Sequence, residues 1–364
     1  MYLLILLVSL YFVFLLYAIV PSFESVNQQI EESEPISISV VVPYKNEESN
    51  LPHLIEKIIC QRPSDLRIEL IFIDDHSTDL SSGCLDRLNY TKLISAKNHG
   101  KKNAIREGVE AASYDWILTL DADVRLHPGF FQELESIKTD PLKMVLFPMR
   151  PIKRRGFVPA FFDLEFLALQ AVGMGMAEKN KPLLSNGACL LFKKEAFVKV
   201  DKQRDDYNVP TGDDIFAMFA IANEYGNESI GTAPWISPVD TVFPSSFSRL
   251  LRQRARWISK TIKVEYFRYR IIAFLMAFVH LLPAVLMIVF FLGMFSWITI
   301  FSLIFIKLAA EWVFFGYITV KYNRRDLLFW LPLTQLLYPI YIFTLIVNGV
   351  KYRLQYSKPS LDAA

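Results

Sequence analysis

IELIFIDDHSTD, residues 68–79, is an apolar, β-branched run that ends in acidic and hydroxyl side chains. Short apolar runs bounded by polar turns form strands buried on both faces. Residues 68–74 are therefore expected to be such a strand, with DDHSTD as its exit. Upstream, residues 36–42 (ISISVVV) read as a strand stopped by Pro43, and residues 51–61 have helical spacing. Downstream, residues 92–96 read as a third strand, 101–112 as a helix and 116–121 (WILTLD) as a fourth strand. Strands alternating with helices predict an α/β domain with a mostly parallel sheet. In such sheets ligands bind beyond the carboxyl ends of the strands. The polar clusters fall there: PYKNEE after the first strand, DDHSTD after the second, and DAD (residues 121–123) after the fourth. Several acidic loops thus converge on one rim.

Outside this region the chain is apolar. Hydrophobic residues make up 52% of the 364 residues, and mean hydropathy is +0.28. The excess sits in residues 1–20, which carry no charged side chain, and from about residue 270 to 350. About 20 apolar residues suffice for a helix to cross the hydrocarbon. Residues 1–20 lack the basic start of a cleavable leader and read as an anchor. Residues 271–292 and 297–320 read as two spans turning near Gly293, with Lys307 and Glu311 placed to pair on one helical face. Residues 327–350, interrupted by Pro332 and Pro339, read as a kinked span or a re-entrant hairpin. The expected organisation is an anchor (1–20), a polar linker (21–35), a catalytic domain (36–248), a basic interfacial helix (249–270), an apolar region of two to three helices (271–350) and a tail (351–364). Residues 157–176 read either as a second interfacial helix or as core.

Arg249, Arg252, Arg254, Arg256, Lys260, Lys263, Arg268 and Arg270 precede the second span, and KYNRRD (321–326) follows the third. Basic loops stay in the cytoplasm. The expected location is thus the cell (inner) membrane, multi-pass, with the catalytic domain cytoplasmic. Lys351, Arg353 and Lys358 conflict with a further full crossing and favour a re-entrant or interfacial last segment. A net charge of +2 argues for no particular partner, and no nucleic acid is expected. Cys60, Cys84 and Cys189 are widely spaced and odd in number, so they read as free thiols.

An Asp-rich rim suits a hard divalent cation with oxygen ligands. In DAD two carboxylates sit two residues apart at a strand end. NHGKKN (98–103) opens a helix whose N–H groups and lysines suit phosphate. Neither a P-loop nor a glycine-rich dinucleotide fingerprint is present. Asp213 and Asp214 of TGDD (211–214) precede an apolar helix, where carboxylates serve as caps or, facing a site, as a general base.

These motifs, with QRARW (253–257), resemble the membrane-bound inverting glycosyltransferases of family 2, which have the GT-A fold. The resemblance covers residues 36–260. It implies that Pro43, Tyr44, Asn46 and Glu47 line the base and ribose, and that Asp75, with Asp74, binds the nucleoside. It also implies that Lys101 lies near the diphosphate, that Asp121 contacts the nucleotide and that Asp123, with Asp121, holds Mg²⁺ or Mn²⁺. By the same resemblance Asn186, Gly187 and Ala188 line the acceptor site. Asp214 is the expected catalytic base, with Asp213 beside it in place of the family's Glu, and Gln253, Arg256 and Trp257 match QxxRW. The implied donor is a nucleotide-diphospho-sugar, UDP-linked in first place, and the implied acceptor a lipid or lipid-linked glycan. A processive polysaccharide synthase component and a catalytically silent membrane scaffold are the alternatives.

Overall fold

The computed structural model describes residues 2–20, 36–61, 66–85, 91–137, 140–204, 212–234, 238–243, 246–263, 267–293 and 295–356. Along the chain run α1 (Tyr2–Ile19), β1 (Ile38–Tyr44), α2 (Leu51–Gln61), β2 (Ile68–Asp74), β3 (Thr91–Ser95), α3 (Lys101–Ala111), β4 (Trp116–Leu120), β5 (Val124–Arg125), α4 (Phe130–Glu135), β6 (Met144–Leu146) and β7 (Met149–Pro151). There follow α5 (Phe157–Ala177), β8 (Cys189–Lys193), α6 (Lys194–Asp201), α7 (Asp213–Tyr225), β9 (Ile230–Thr232), β10 (Val239–Thr241), α8 (Phe247–Lys263), α9 (Phe267–Phe291), α10 (Trp297–Lys321) and α11 (Leu331–Tyr356). The chain divides into two compact units. One comprises Pro21–Ile152 and Leu169–Val242, the other Met1–Val20, Lys153–Ala168 and Phe243–Ala364.

The first unit is built on a 7-stranded sheet in the order β3-β2-β1-β4-β8-β6-β9, beside a 3-stranded sheet, β5-β10-β7. β1 runs parallel to β2 and β4, β2 to β3, and β6 to β9, while β8 lies antiparallel between β4 and β6. Every residue of β1 and β4 is buried, which is why both read as continuous apolar runs. Pro43 does not end β1 as expected. The pairing with β2 continues through Pro43↔Ile73 and Tyr44↔Asp74. Pairing with β4 has already stopped at Val41↔Thr119, so a residue without an N–H is tolerated on that edge.

Glu69 locks the far end of the sheet. Its carboxylate accepts from Ser39 Oγ at 2.7 Å, from Ser113 N at 2.8 Å and from Ser113 Oγ at 2.9 Å, and pairs with Lys92 at 2.5 Å. Burial works against its charge, but Lys92 and the serine donors outweigh it and hold its pKa at about 2, below the ordinary 4.5. A depressed carboxyl pKa stabilises the fold above about 4.5, and that contribution is lost as pH falls towards 2. Glu69→Gln is expected to cost about 1–2 kcal/mol at neutral pH, after discounting for solvent screening. Thermal melts should show the gap to the parent narrowing between pH 5 and pH 3.

In the second unit, Arg270–Phe291, Trp297–Lys321 and Arg325–Gly349 are long and apolar enough to cross a membrane, and Leu3–Ile19 is a shorter apolar helix. The hairpin expected within 327–350 does not form. A 3-10 turn, Arg325–Trp330, leads into the continuous helix α11. Pro332 falls in its first turn, where no intrahelical N–H bond is lost. Phe157–Ala177 also has the length and apolarity of a span, yet 67% of its apolar window is buried inside the protein. Its apolarity therefore serves packing rather than a position in the interface.

The Lys307–Glu311 pair forms as expected, at 2.6 Å. The same carboxylate accepts from Tyr11 OH of α1 at 3.0 Å and from Gln335 Nε2 of α11 at 2.9 Å. α1 is thus bonded into the helical assembly rather than serving as a bare anchor. The contiguous 36–248 domain also differs from what forms, because Lys153–Ala168 belongs with the apolar helices. Two carboxylates on α5 explain this. Asp163 accepts from Arg324 at 2.9 Å and Glu165 from Arg254 at 2.6 Å. The linker 21–35 and the tail 357–364 lie outside the described residues.

Candidate active site

The carboxyl ends of β1, β2, β3 and β4 open onto one rim because these strands run parallel. β8 runs the other way, so its amino end meets that rim: Leu120 pairs with Cys189, and Asp121 N donates to Ala188 O at 2.9 Å. This single reversal carries the Asn186–Gly187–Ala188 loop alongside DAD.

The loops after β1 and β2 are sewn together. Asp75 N donates to Tyr44 O at 2.8 Å. Asn46 Oδ1 accepts from Thr78 N at 2.7 Å, and Asn46 N donates to Ser77 Oγ at 3.1 Å, with Asn46 at φ 57. Glu47 N donates to Ser81 Oγ at 2.7 Å. Asp74 accepts from Ser77 N at 2.8 Å and from Ser82 Oγ at 3.1 Å, so it shapes this turn. Asp75, only 7% exposed, accepts from Gly100 N at 2.8 Å and thereby fixes the entry to α3.

At the start of α3, Lys101 Nζ lies 2.5 Å from Asp121 Oδ1 and donates to Gly187 O at 3.4 Å. Gly187 N in turn donates to Asp214 Oδ2 at 3.0 Å, and Ala188 N to Asn186 Oδ1 at 3.0 Å. A side chain at Gly187 would place its Cβ 3.2 Å from Asp214 Cβ, so any larger residue would push the Asp214 carboxylate by a few tenths of an ångström. Gly212, at φ 96, turns the chain into α7 and sets Asp213 and Asp214 in its first turn. Both carboxylates line a small cavity with Gly187, Lys102 and Thr119.

Desolvation opposes the charge on Lys101, but Asp121, followed by Asp213, raises its pKa above the usual lysine range. Asp121 is raised too, by desolvation first, with Lys101 opposing and Asp213 and Asp214 adding to it. Asp123 is pushed up to about 7 by desolvation, then by Asp121 and Glu47. Burial, and behind it Asp121 and Asp79, likewise raise Glu47, with Asn50 and Arg125 opposing. The rim therefore gathers more negative charge than Lys101 and Arg125 offset. Hard oxygen donors under that strain suit a divalent cation.

Pro43, Tyr44, Asn46, Glu47, Asp74, Asp75, Lys101, Asp121, Asp123, Asn186, Gly187, Ala188, Asp213 and Asp214 all belong to this one unit. Thr211 lies outside the described residues. Gln253, Arg256 and Trp257 lie on α8 in the other unit. Gln253 Oε1 accepts from Arg254 Nη1 at 3.2 Å. The side chains of Arg256 and Trp257 lie outside the described residues.

The sequence reading missed three features. His76 and His99 stack at 3.7 Å beside Asp75, and the ligand atoms of these three residues lie within 4.8 Å of one another. Arg125 Nη2 donates to Asn50 Oδ1 at 2.7 Å, and Asn50 to Glu47 at 2.8 Å, which braces Glu47. Arg254, inside QRARW, is buried against Glu165. Only the last left a trace in the sequence, as two acidic residues in an otherwise apolar run.

Residues 39–197 match the family model described as glycosyl transferase family 2. The undecaprenyl-phosphate 4-deoxy-4-formamido-L-arabinose transferase of Proteus mirabilis is 34% identical over 115 residues, 29% of this chain and 32% of the relative. Its Yersinia enterocolitica counterpart is 32% identical over 125 residues, 32% of this chain and 38% of the relative. The chain thus spans about a third of the length of the curated relatives it matches. Among solved structures, a mannosyltransferase from Pyrobaculum calidifontis, in complex with GDP-Man and Mn²⁺, shares the fold with a TM-score of 0.58. It is 15% identical, over 95% of both chains. The parallel rim, the matched region and the shared fold agree: the fold is GT-A-like, and residues 39–197 are similar to the glycosyltransferases of family 2.

Proposed function

We propose that this protein is a membrane-bound inverting glycosyltransferase. It moves a sugar from a nucleotide-diphospho-sugar, with UDP as the favoured nucleotide, to a lipid-phosphate or lipid-linked glycan acceptor. The observation that carries this reading is the gathering of Asp121, Lys101, Gly187 and Asp214 in one bonded chain at the rim. The curated relatives are named for transfer to undecaprenyl-phosphate, and three helices of this chain are suited to cross a membrane beside such an acceptor.

In this reading the loops after β1 and β2 hold the nucleoside, and Lys101 leaves Asp121 to meet the diphosphate. Inversion needs one in-line attack, so one base and one stabilised leaving group suffice. Asp214, oriented by Gly187 N–H, takes the proton of an acceptor hydroxyl. Mg²⁺ or Mn²⁺ held by Asp121 and Asp123 would neutralise charge on the departing diphosphate. Gln253, Arg256 and Trp257 of α8 are assigned to the diphosphate and acceptor side.

The test is nucleoside-diphosphate release by the purified protein, offered UDP- and GDP-sugars with Mn²⁺ and either polyprenyl phosphate or a lipid extract. Release with one donor, abolished by EDTA and restored by Mn²⁺, is the expected result. A folded protein that binds no donor and releases nothing from any of them would sink the proposal.

A further inference from the structure

Two basic segments far apart in the sequence are tied together in the apolar unit. Asp163, 0% exposed, accepts from Arg154 Nη2 at 3.0 Å and from Arg324 Nη2 at 2.9 Å. Arg324 also bonds Asp326 at 3.2 Å, and Lys153 Nζ lies 3.8 Å from the same carboxylate. Phe157 packs on Trp330 with ring centroids 5.8 Å apart. The Lys153–Arg155 and Arg324–Asp326 segments therefore form one surface, in which Lys153, Arg154 and Arg324 meet Asp163 and Asp326, and Arg155 and Arg325 are their chain neighbours. Arg154 and Arg324 face inward to the buried carboxylate, while Lys153, Arg155 and Arg325 are exposed.

The depth of this surface follows from the helices. The turn between α10, which ends at Lys321, and the segment beginning at Arg325 joins two stretches long and apolar enough to cross a membrane. Such a short turn sits at headgroup level. Phe329, 79% exposed, and Trp330 lie one turn further on, and exposed aromatics beside cations are characteristic of the membrane interface. Asp163 brings a second set of cations to that level.

We propose that Lys153, Arg155 and Arg325 form a docking site for the headgroups of anionic phospholipids. The inference rests on α10 and α11 crossing the membrane and is independent of the donor and acceptor. A phosphodiester between these side chains meets point charges and a guanidinium fork, with Phe329 beside the glycerol and acyl boundary. Buried Asp163 holds the two segments in place without cancelling the exposed cations.

The full chain, purified in neutral detergent, is mixed with equimolar phosphatidylglycerol and phosphatidylcholine, and the lipids retained are read by native mass spectrometry. The parent is expected to retain phosphatidylglycerol preferentially. The variant Lys153→Gln/Arg155→Gln/Arg325→Gln should lose that preference by about tenfold or more, since each cation near the surface is worth on the order of fivefold. A variant of equal charge change on the other unit, Lys57→Gln/Lys97→Gln/Lys202→Gln, should keep it. All six side chains are exposed, so both variants should melt with the parent. Unchanged retention in the patch variant, or an equal loss in both variants, overturns the proposal. So does retention that is unchanged while the KM for polyprenyl phosphate rises, which would assign the patch to the acceptor.

Discussion

Asp214→Asn is expected to lower turnover on a hydroxyl-bearing acceptor by about 10²–10⁴-fold, the usual cost of removing a general base. Donor binding should be unchanged. The carboxylate accepts from Gly187 N at 3.0 Å, so an amide of the same shape keeps its place by turning its oxygen to that N–H. What is lost is the capacity to take a proton. The size of the loss also reports on the acceptor. A phosphate acceptor loses its second proton near pH 6, so its attacking oxygen is already ionised at neutral pH and the penalty should shrink markedly. Comparing kcat on a lipid-linked glycan with kcat on polyprenyl phosphate, beside donor binding by calorimetry, separates the two. A variant with full activity on both acceptors would remove Asp214 from the base role, and Asp213→Asn would then be the variant to assay.

The second large effect belongs to Arg254. Its Nε donates to Glu165 Oε2 at 2.6 Å, Tyr341 OH donates to the other oxygen at 2.6 Å, and the guanidinium lies 5.1 Å from the ring of Phe243. Arg254 is 2% exposed and Glu165 8%. Arg254→Ala would leave Glu165 charged and buried, a loss on the order of 3–5 kcal/mol. The double variant Arg254→Met/Glu165→Gln should recover most of it, because neither charge remains. Thermal melting of the detergent-solubilised protein checks both. A single variant as stable as the parent would show that Glu165 finds another partner or is not charged.

Much of the catalytic unit was legible because its signals are local. Strands β1, β2 and β4 announce themselves as apolar runs, and the polar residues at their ends mark the rim without any knowledge of the partners. The reversal of β8 was not legible. Four apolar residues, Cys189 to Phe192, look the same in either direction, and the direction follows from pairing with β4 and β6. The position of Pro43 within a strand was missed for a related reason, since tolerance there depends on where a neighbouring ladder stops. The divided membership of α5 was the largest surprise. Its apolar face reads equally well as core, interface or span. The choice is made by Asp163 and Glu165, whose partners Arg324 and Arg254 lie 161 and 89 residues further along the chain.

Those separations matter before the protein is finished. When α5 leaves the ribosome, neither Arg254 nor Arg324 has been made, and the insertion machinery meets a 21-residue helix apolar enough to enter the bilayer. At that moment Asp163 has only Arg154 as a partner and Glu165 has neither Arg254 nor Tyr341, and a carboxylate at a helix centre costs about 2.5–3.5 kcal/mol on insertion. The acids that later bind two arginines thus first act as a gate on the nascent chain. Asp163→Leu/Glu165→Leu should turn α5 into a true span and send everything after it to the opposite side of the membrane. Cysteine-accessibility mapping of residues 321–326 in intact vesicles would detect that inversion, and an unchanged pattern would show that α5 is kept out by other means.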